Sequence, residues 1–323
     1  MSSDALTTLS AIAQYGPCFL YACTLVEALI LFKYQPANLD FGEASLSFLS
    51  ELVPMLMAYL ALSITFSWVM PALVWAWDNR INTVDLNDYA SVAVAYLFGE
   101  FIFYWQHRAA HRIRWFWLDH GVHHSSNHLN LTAAWRMGAT SRIVGGSLFF
   151  LPMVWLGFGL NAVLTVFGVA AIYQTLLHVQ WFGKMGVLEK FLMTPSLHRV
   201  HHASNVEYLD ANYGATLCVF DRLFGTYVTE DETIPIKFGL VEPLITKNPL
   251  LVYFHQWLYL WRDLRSVRSV GDFFGLLLMP PGWQVDGQHQ RSEDLRHEHP
   301  TVGPKSTEVG QEQEQEREIS VCS

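Results

Sequence analysis

Histidine is the residue whose number and spacing in this chain could do chemistry. Nine of its 14 histidines form a pattern between residues 107 and 202. His107 and His111 make HxxxH; His120, His123 and His124 make HxxHH; His198, His201 and His202 repeat HxxHH, with His178 alone before them. On a helix, residues i, i+3 and i+4 share a face with Cβ atoms about 5–6 Å apart, so two or three imidazoles can converge on one metal without bending the backbone. A lone HxxxH is usually incidental. One HxxHH is expected by chance only about 0.03 times at this histidine content, so two copies need a cause. Structural duty is a poor one, because each buried imidazole needs a hydrogen-bond partner and resists charging beside the others. A metal removes both difficulties by taking a lone pair from each ring. A structural zinc wants four ligands, a catalytic zinc three and a water. Eight or nine imidazoles exceed either, and two metals with four or five nitrogens each is the natural division. Imidazole suits iron, zinc and copper alike, so the ligand type leaves the metal open.

The elements that must position these rings are apolar. Of 323 residues 51% are hydrophobic, 15% charged and 14% aromatic, with 12 Trp, and the mean hydropathy is +0.21. The apolar residues sit in long runs rather than stripes, as in a protein partly dissolved in a bilayer with aromatic belts at its interfaces. The runs cover Ala11 to Phe32, Phe48 to Trp77, Tyr89 to Trp105, and Ile143 to His178, the last long enough for a hairpin of two spans. The third leads straight into His107. The segment from Trp105 to Arg142 carries Arg108, Arg112, Arg114, Arg136 and Arg142 against the single acid Asp119. Positive-inside bias then puts the histidines on the cytosolic side. The expected fold is an all-α integral membrane helical bundle of about four spans, with a cytosolic helical cap carrying a histidine-ligated di-metal site.

Beyond His202 the chain is mixed in composition up to Gly287, so residues 1–287 are expected to form one membrane-embedded domain. Within it, Asn248 to Val267 has an apolar face at helical spacing, suited either to the headgroup boundary or to packing on the protein. Phe273 to Trp283 is strongly apolar yet too short to span, and either dips into the interface or packs beneath the catalytic helices. Residues 288–323 are rich in Glu, Gln and Arg and are expected to be a disordered polar tail. That tail supplies much of the net charge of −9, and nothing points to nucleic acid. Cys18, Cys23, Cys218 and Cys322 form no CxxC pair, and a reducing compartment is the simpler reading. The N-terminus lacks the basic region of a cleaved signal peptide.

The sequence resembles the fatty acid hydroxylase superfamily, which includes sterol desaturases, alkylglycerol monooxygenases and several lipid hydroxylases. The resemblance rests on EFIFYWQHRAAH (Glu100 to His111), WLDHGVHHSS (Trp117 to Ser126), NLTAAWR (Asn130 to Arg136), TPSLHRVHHASN (Thr194 to Asn205), NYG (Asn212 to Gly214) and DRLFGTY (Asp221 to Tyr227). It covers about residues 88–230 and is closest to the sterol desaturase and alkylglycerol monooxygenase branch. It implies two non-haem irons that activate O2 to hydroxylate or desaturate a C–H bond of a lipid. Carried over position by position, it makes His107, His111, His120, His123, His124, His198, His201 and His202 the metal ligands, with His178 a further one. Within the matched motifs, Asp221 and Arg222 are read as binding each other or orienting ligands, and Asn212 as holding a water or ligand beside a metal, against a plain loop network for all three. His128 falls where the family varies and reads as a surface residue. The membrane implied is a bacterial inner membrane or the endoplasmic reticulum.

One rival reading fails on particular residues, and two from other classes, a histidine-rich membrane metal transporter and a bis-histidine haem protein, remain. Gly157 to Ala162 fits GxGxxA, but it lies inside an apolar run with no preceding strand, which rules out dinucleotide binding. A membrane metal transporter would place ionisable ligands along its spans, whereas these hold only Glu27, Glu51 and Glu100 near their ends. A bis-histidine haem protein needs one histidine pair per haem, not three clusters. Reducing O2 needs electrons, and the chain has neither the four-cysteine spacing of an iron–sulfur cluster nor a flavin or nicotinamide motif. A separate donor, a ferredoxin or a cytochrome with its reductase, is therefore implied.

Overall fold

The computed structural model describes residues 4–49, 62–86 and 88–298. Among these no β-strand forms, and the only ladder contacts are isolated bridges between Leu192 and Leu217 and between Ala203 and Phe238. Within the described residues the apolar runs form helices, because side chains without polar partners leave the backbone to satisfy its own hydrogen bonds, while residues 50–61 of the Phe48 to Trp77 run lie outside the described residues.

α1 (Asp4–Tyr34) passes through Pro17 and contains Leu6–Tyr34, among the described residues the one helix long and apolar enough to cross a membrane. At 1.5 Å per residue, 29 residues reach about 44 Å, more than the roughly 30 Å of a hydrocarbon core. Its outer face is apolar and open, with Leu25, Leu29 and Phe32 at 59–61% exposure. Next come α2 (Phe41–Leu49), α3 (Leu62–Asp78) and α4 (Tyr89–Arg112), the last capped by Asp88, which accepts from the Ser91 N–H at 2.8 Å. α4 ends in its own histidines. Ile113, in extended conformation, breaks the helix and turns the chain back into α5 (Arg114–His123).

The run from Ile143 to His178 was expected to be a hairpin of two spans, and it forms unequal arms instead. The incoming arm breaks into single turns and a short α6 (Leu151–Leu156); the outgoing arm is α7 (Leu160–Leu176). Gly157 sits at the tip with φ +106°, and a Cβ there would lie 2.0 Å from the Asn82 carbonyl oxygen. The loop before α4 crosses this tip, the Ile81 N–H donating to Trp155 O and the Val84 N–H to Gly157 O. α3, α4, α6 and α7 enclose one core of Val69, Leu73, Ala95, Ile102, Met153 and Val163, while α1 packs along α7.

The remaining helices are α8 (Pro195–His201), α9 (Val219–Leu223), α10 (Pro249–Asp263), α11 (Val270–Leu278) and α12 (Ser292–Glu298). α10 and α11 cover α5. Val252, Tyr253 and Leu260 of α10 are buried, as is Leu276 of α11, which packs with Leu118 and Val144. Their outer faces stay apolar and open, at Leu250, Leu258, Trp261, Phe274 and Leu278. Each segment whose placement the sequence left between membrane contact and protein packing thus has one side for packing and another facing outward.

α12 lies in the segment expected to be disordered. It docks on the core: Arg112 donates to both Glu293 carboxylate oxygens (3.0 and 3.1 Å) and to Asp210 (2.6 Å), and Arg296 donates to Leu209 O. Low apolar content predicted disorder, but a two-pronged Arg–carboxylate contact needs little apolar area. Residues 299–323 lie outside the described residues. A chain ending at Gln290 should therefore be less stable than one ending at Glu298 by about 1 kcal/mol, for a half-exposed network of this kind, and should melt at a lower temperature. Equal melting points would show that α12 adds nothing.

Candidate metal centre

α4, α5 and α8 meet with their histidines pointing inward, and His178 joins them one residue past Leu177, where α7 has ended. Thr194 caps α8, accepting from the Leu197 N–H, with Pro195 in the first turn. All nine expected histidines come together, in two groups. His107, His111, His120, His124 and His201 form the first; His123, His178, His198 and His202 form the second. Within each group the donor atoms lie within 4.8 Å of one another, and all nine rings are buried except His120, which is partly so. The groups abut: His124 stacks on His202 with ring centres 4.4 Å apart.

The grouping cuts across the motifs. His120 and His124 serve the first group and His123 the second, while His198 and His202 serve the second and His201 the first. Each HxxHH motif thus lends one ring to the other motif's group.

The donor atoms face each other as metal ligands do. His107 Nδ1–H donates to Tyr213 O (2.9 Å), His201 Nδ1–H to Ala211 O (2.9 Å), His178 Nδ1–H to Gln174 O (2.9 Å) and His123 Nδ1–H to Arg136 O (3.3 Å). A neutral ring that donates through Nδ1 carries a bare lone pair on Nε2. His178 Nε2 and His123 Nε2 nevertheless sit 3.2 Å apart, and His198 Nε2 is 3.2 Å from His178 Nε2. In the first group His120 Nε2 lies 3.0 Å from His107 Nε2 and 3.2 Å from His124 Nε2. For His123 and His178, whose Nδ1–H groups are both engaged, the Nε2 lone pairs face each other and repel at this distance unless a cation lies between them. Metal–nitrogen bonds of about 2.1 Å at right angles would separate ligand nitrogens by about 3.0 Å. The buried Nε2 atoms of His111, His201 and His202 have no hydrogen-bond partner, which suits the same role. Burial, then the neighbouring imidazoles, pushes His120, His123, His124, His198, His201 and His202 well below the ordinary histidine range. The rings are therefore neutral, the form that binds metal. The donor set fits a pair of metals.

The loop 210–214 orients the first group. Its Ala211 and Tyr213 carbonyls take two of the Nδ1–H bonds above, and the Asp210 carboxylate lies 3.6 Å from His111 Nδ1. Burial raises the Asp210 carboxyl, but His111 and Arg112 outweigh it and hold it at about 2. Asp210 and Asn212 both have φ +57°, which Asp and Asn tolerate better than most residues. Asn212 does not face the histidines. Its side chain donates to Leu197 O and Val228 O and accepts from the Val228 N–H, fastening the loop to α8. Asp221 accepts from the Tyr213 N–H (2.6 Å), the Gly214 N–H (2.9 Å) and the Thr226 hydroxyl (2.8 Å). Burial pushes its carboxyl up to about 6 against these three donors. Arg222 departs from the expectation: it donates to Glu189 O and lies over the Tyr227 ring, away from Asp221. His128 accordingly belongs elsewhere, bonded to Glu43 at 3.0 Å. Sequence reasoning missed Asp210, whose position two residues before Asn212 was the available signal, and the four carbonyls, which leave none.

The fatty acid hydroxylase family model matches residues 92–226, a stretch that holds all nine histidines. The chain is 30% identical to alkylglycerol monooxygenase of Homo sapiens over 292 residues, covering 87% of this chain and 63% of the relative. It is 32% identical over 219 residues to the Danio rerio enzyme of that name (66% and 47%). To the ornithine lipid hydroxylase of Rhizobium tropici it is 31% identical over 136 residues (42% and 41%). It thus spans less than two thirds of the length of these relatives. No solved structure matches. Two interlocked histidine groups carried on the matched segment, and relatives aligned over most of the chain, point one way: residues 92–226 match the fatty acid hydroxylase family, and the relatives support a place in that superfamily.

Proposed function

We propose that this chain is a membrane-bound lipid monooxygenase that hydroxylates a C–H bond of an alkylglycerol-type lipid, using O2, two irons held by the nine histidines, and electrons from a separate ferredoxin or cytochrome. The observation that carries the reading is the pair His123 and His178, whose buried lone pairs face each other at 3.2 Å. The substrate class follows the Homo sapiens and Danio rerio relatives, both alkylglycerol monooxygenases. A second reading, hydroxylation of an amino-acid-containing lipid, has the shorter match to the ornithine lipid hydroxylase in its favour.

Bound in these groups, a pair of irons supplies the redox chemistry by which O2 is reduced and a C–H bond oxidised. The chain's own part is preparation. Backbone carbonyls hold four rings by Nδ1–H, so that Nε2 stays free of protons and aimed inward. Tyr213, 1% exposed, lies against the His107, His111 and His201 rings and keeps water from that side of the first group. In the bilayer we read α1, α3, α4 and α7 as the four spans, with the histidines at the cytosolic surface. Residues 1–287 act as one catalytic domain on which α12 docks from the following segment.

Metal analysis of protein from iron-sufficient cells should give two irons per chain, and 18O2 should label the product lipid. A single firmly bound ion, or product oxygen drawn from water, would sink the proposal.

A further inference from the structure

Two cavities flank His178. The first, about 500 Å³, lies between α1, α7 and the segment from Leu177 to Met185. Its wall is apolar, with Val26, Ile30, Leu131, Leu176, Leu177 and Val179. The polar groups in it are already engaged. Glu27 accepts from the Leu131 N–H (2.6 Å) and the Trp181 indole N–H (3.0 Å), and the Tyr173 hydroxyl donates to Met193 O (2.7 Å). Such a wall offers a ligand contact area but almost no hydrogen bonds, as a hydrocarbon chain requires. Val26 and Ile30 are 55% and 49% exposed on the open face of α1, so a chain could enter sideways from the bilayer.

The second cavity, about 450 Å³, shares Trp181 and Phe182 with the first, and its charged side chains sit beside an apolar wall of Ile234, Ile236 and Phe238. Lys184 and Arg199 face Glu230, Asp231 and Glu232 there, two cations against three carboxylates. Arg199 pairs with Glu230 at 2.6 Å and Lys184 with Glu232 at 3.3 Å. With both cations paired and the net charge negative, this lining repels an anionic group and suits hydroxyls. No histidine lines either cavity, but residues next to the second histidine group line both. Leu177 and Val179 bracket His178, while Arg199 adjoins His198 and donates to Val179 O and Phe182 O.

We propose that the two cavities form one amphiphile site beside the second histidine group, the apolar cavity taking a lipid's hydrocarbon chain and the second cavity its uncharged, hydroxyl-bearing headgroup. This rests on the reading of the chain as a lipid oxidase and adds where the lipid lies and what its headgroup must be. Trp181, held by Glu27, is the partition at the junction between chain and headgroup.

The test uses the full chain in phosphatidylcholine nanodiscs and a 1-O-alkylglycerol with a diazirine at the end of its chain. Irradiation should label peptides carrying Val26, Ile30 or Leu176, and excess unlabelled alkylglycerol should suppress the labelling. Val26→Trp or Ile30→Trp, on the open side of α1 and so clear of the core, should lower it about tenfold by filling the cavity, with iron content unchanged. The same alkylglycerol bearing a phosphate should compete about tenfold less well. Labelling that excess lipid does not suppress is bulk bilayer contact only, and it overturns the site. Equal competition by the phosphate analogue overturns the headgroup assignment. Labelling needs neither O2 nor electrons, so the two proposals fail separately. Cavity labelling without lipid oxidation would leave the site standing and end the monooxygenase reading. Lipid oxidation without cavity labelling would do the reverse.

Discussion

His201→Ala should empty the first histidine group and leave the second filled, although His201 belongs to the same sequence motif as His198 and His202. Its Nε2 lies with those of His107, His111, His120 and His124, and its Nδ1–H is held by Ala211 O. His123→Ala should do the converse, emptying the second group from within the first HxxHH. Either change should leave about one iron per chain and lower turnover by on the order of 10³-fold or more, because ligands of a joint centre act as a unit. Pairing the substitutions sharpens the test. His107→Ala added to His201→Ala should cost no further iron, whereas His198→Ala added to His201→Ala should remove the second ion. If His201 and His198 instead behave as ligands of one metal, each motif serves its own site and the crossed arrangement is wrong.

Asp221→Ala should strip metal from the first group while sparing the second. The carboxylate accepts three hydrogen bonds at 0% exposure, and its loss strands the Tyr213 and Gly214 N–H groups. Orphaned buried donors cost about 1–3 kcal/mol each, so the fold should lose roughly 3 kcal/mol. The loop so loosened carries every carbonyl and carboxylate that orients His107, His111 and His201. Removing such supports typically weakens metal binding about 10–100-fold. The second group takes its supports from Arg136 and Gln174, outside this loop. Asp221→Asn keeps the shape but turns an NH2 toward the donors, and it should fall between wild type and alanine. Thermal melts followed with metal analysis read both effects; equal loss from the two groups would mean general unfolding and refute the selective role.

Much of the architecture was legible in the sequence. Apolar runs marked α1, α4 and α7, since a helix is the way a chain without polar side chains satisfies its backbone in apolar surroundings. Three histidine clusters at helical spacing marked where the chemistry would sit, and the structure gathers them into two groups. The length of each arm in the Ile143–His178 hairpin was not legible, because Gly157 acts there through the Asn82 backbone it meets. Nor was the docking of α12, since Glu293 and Arg296 look like solvated tail residues until Arg112 and Leu209 are placed beside them.

The division of the histidines shows where sequence stops. Successive helix positions turn by about 100°, so His123 and His124 flank the direction of His120 on opposite sides. Spacing alone therefore established that each HxxHH can face metals in two directions. Which direction meets which partner depended on how α5 and α8 cross, and that is set by packing between elements far apart in the chain. The supports follow the same rule. Asp221 and Asn212 stood out as side chains, but the carbonyls of Arg136, Gln174, Ala211 and Tyr213 are groups that every residue carries. Residue type marked the candidate ligands; only the fold decided how they divide between two groups and which ordinary backbone atoms hold them.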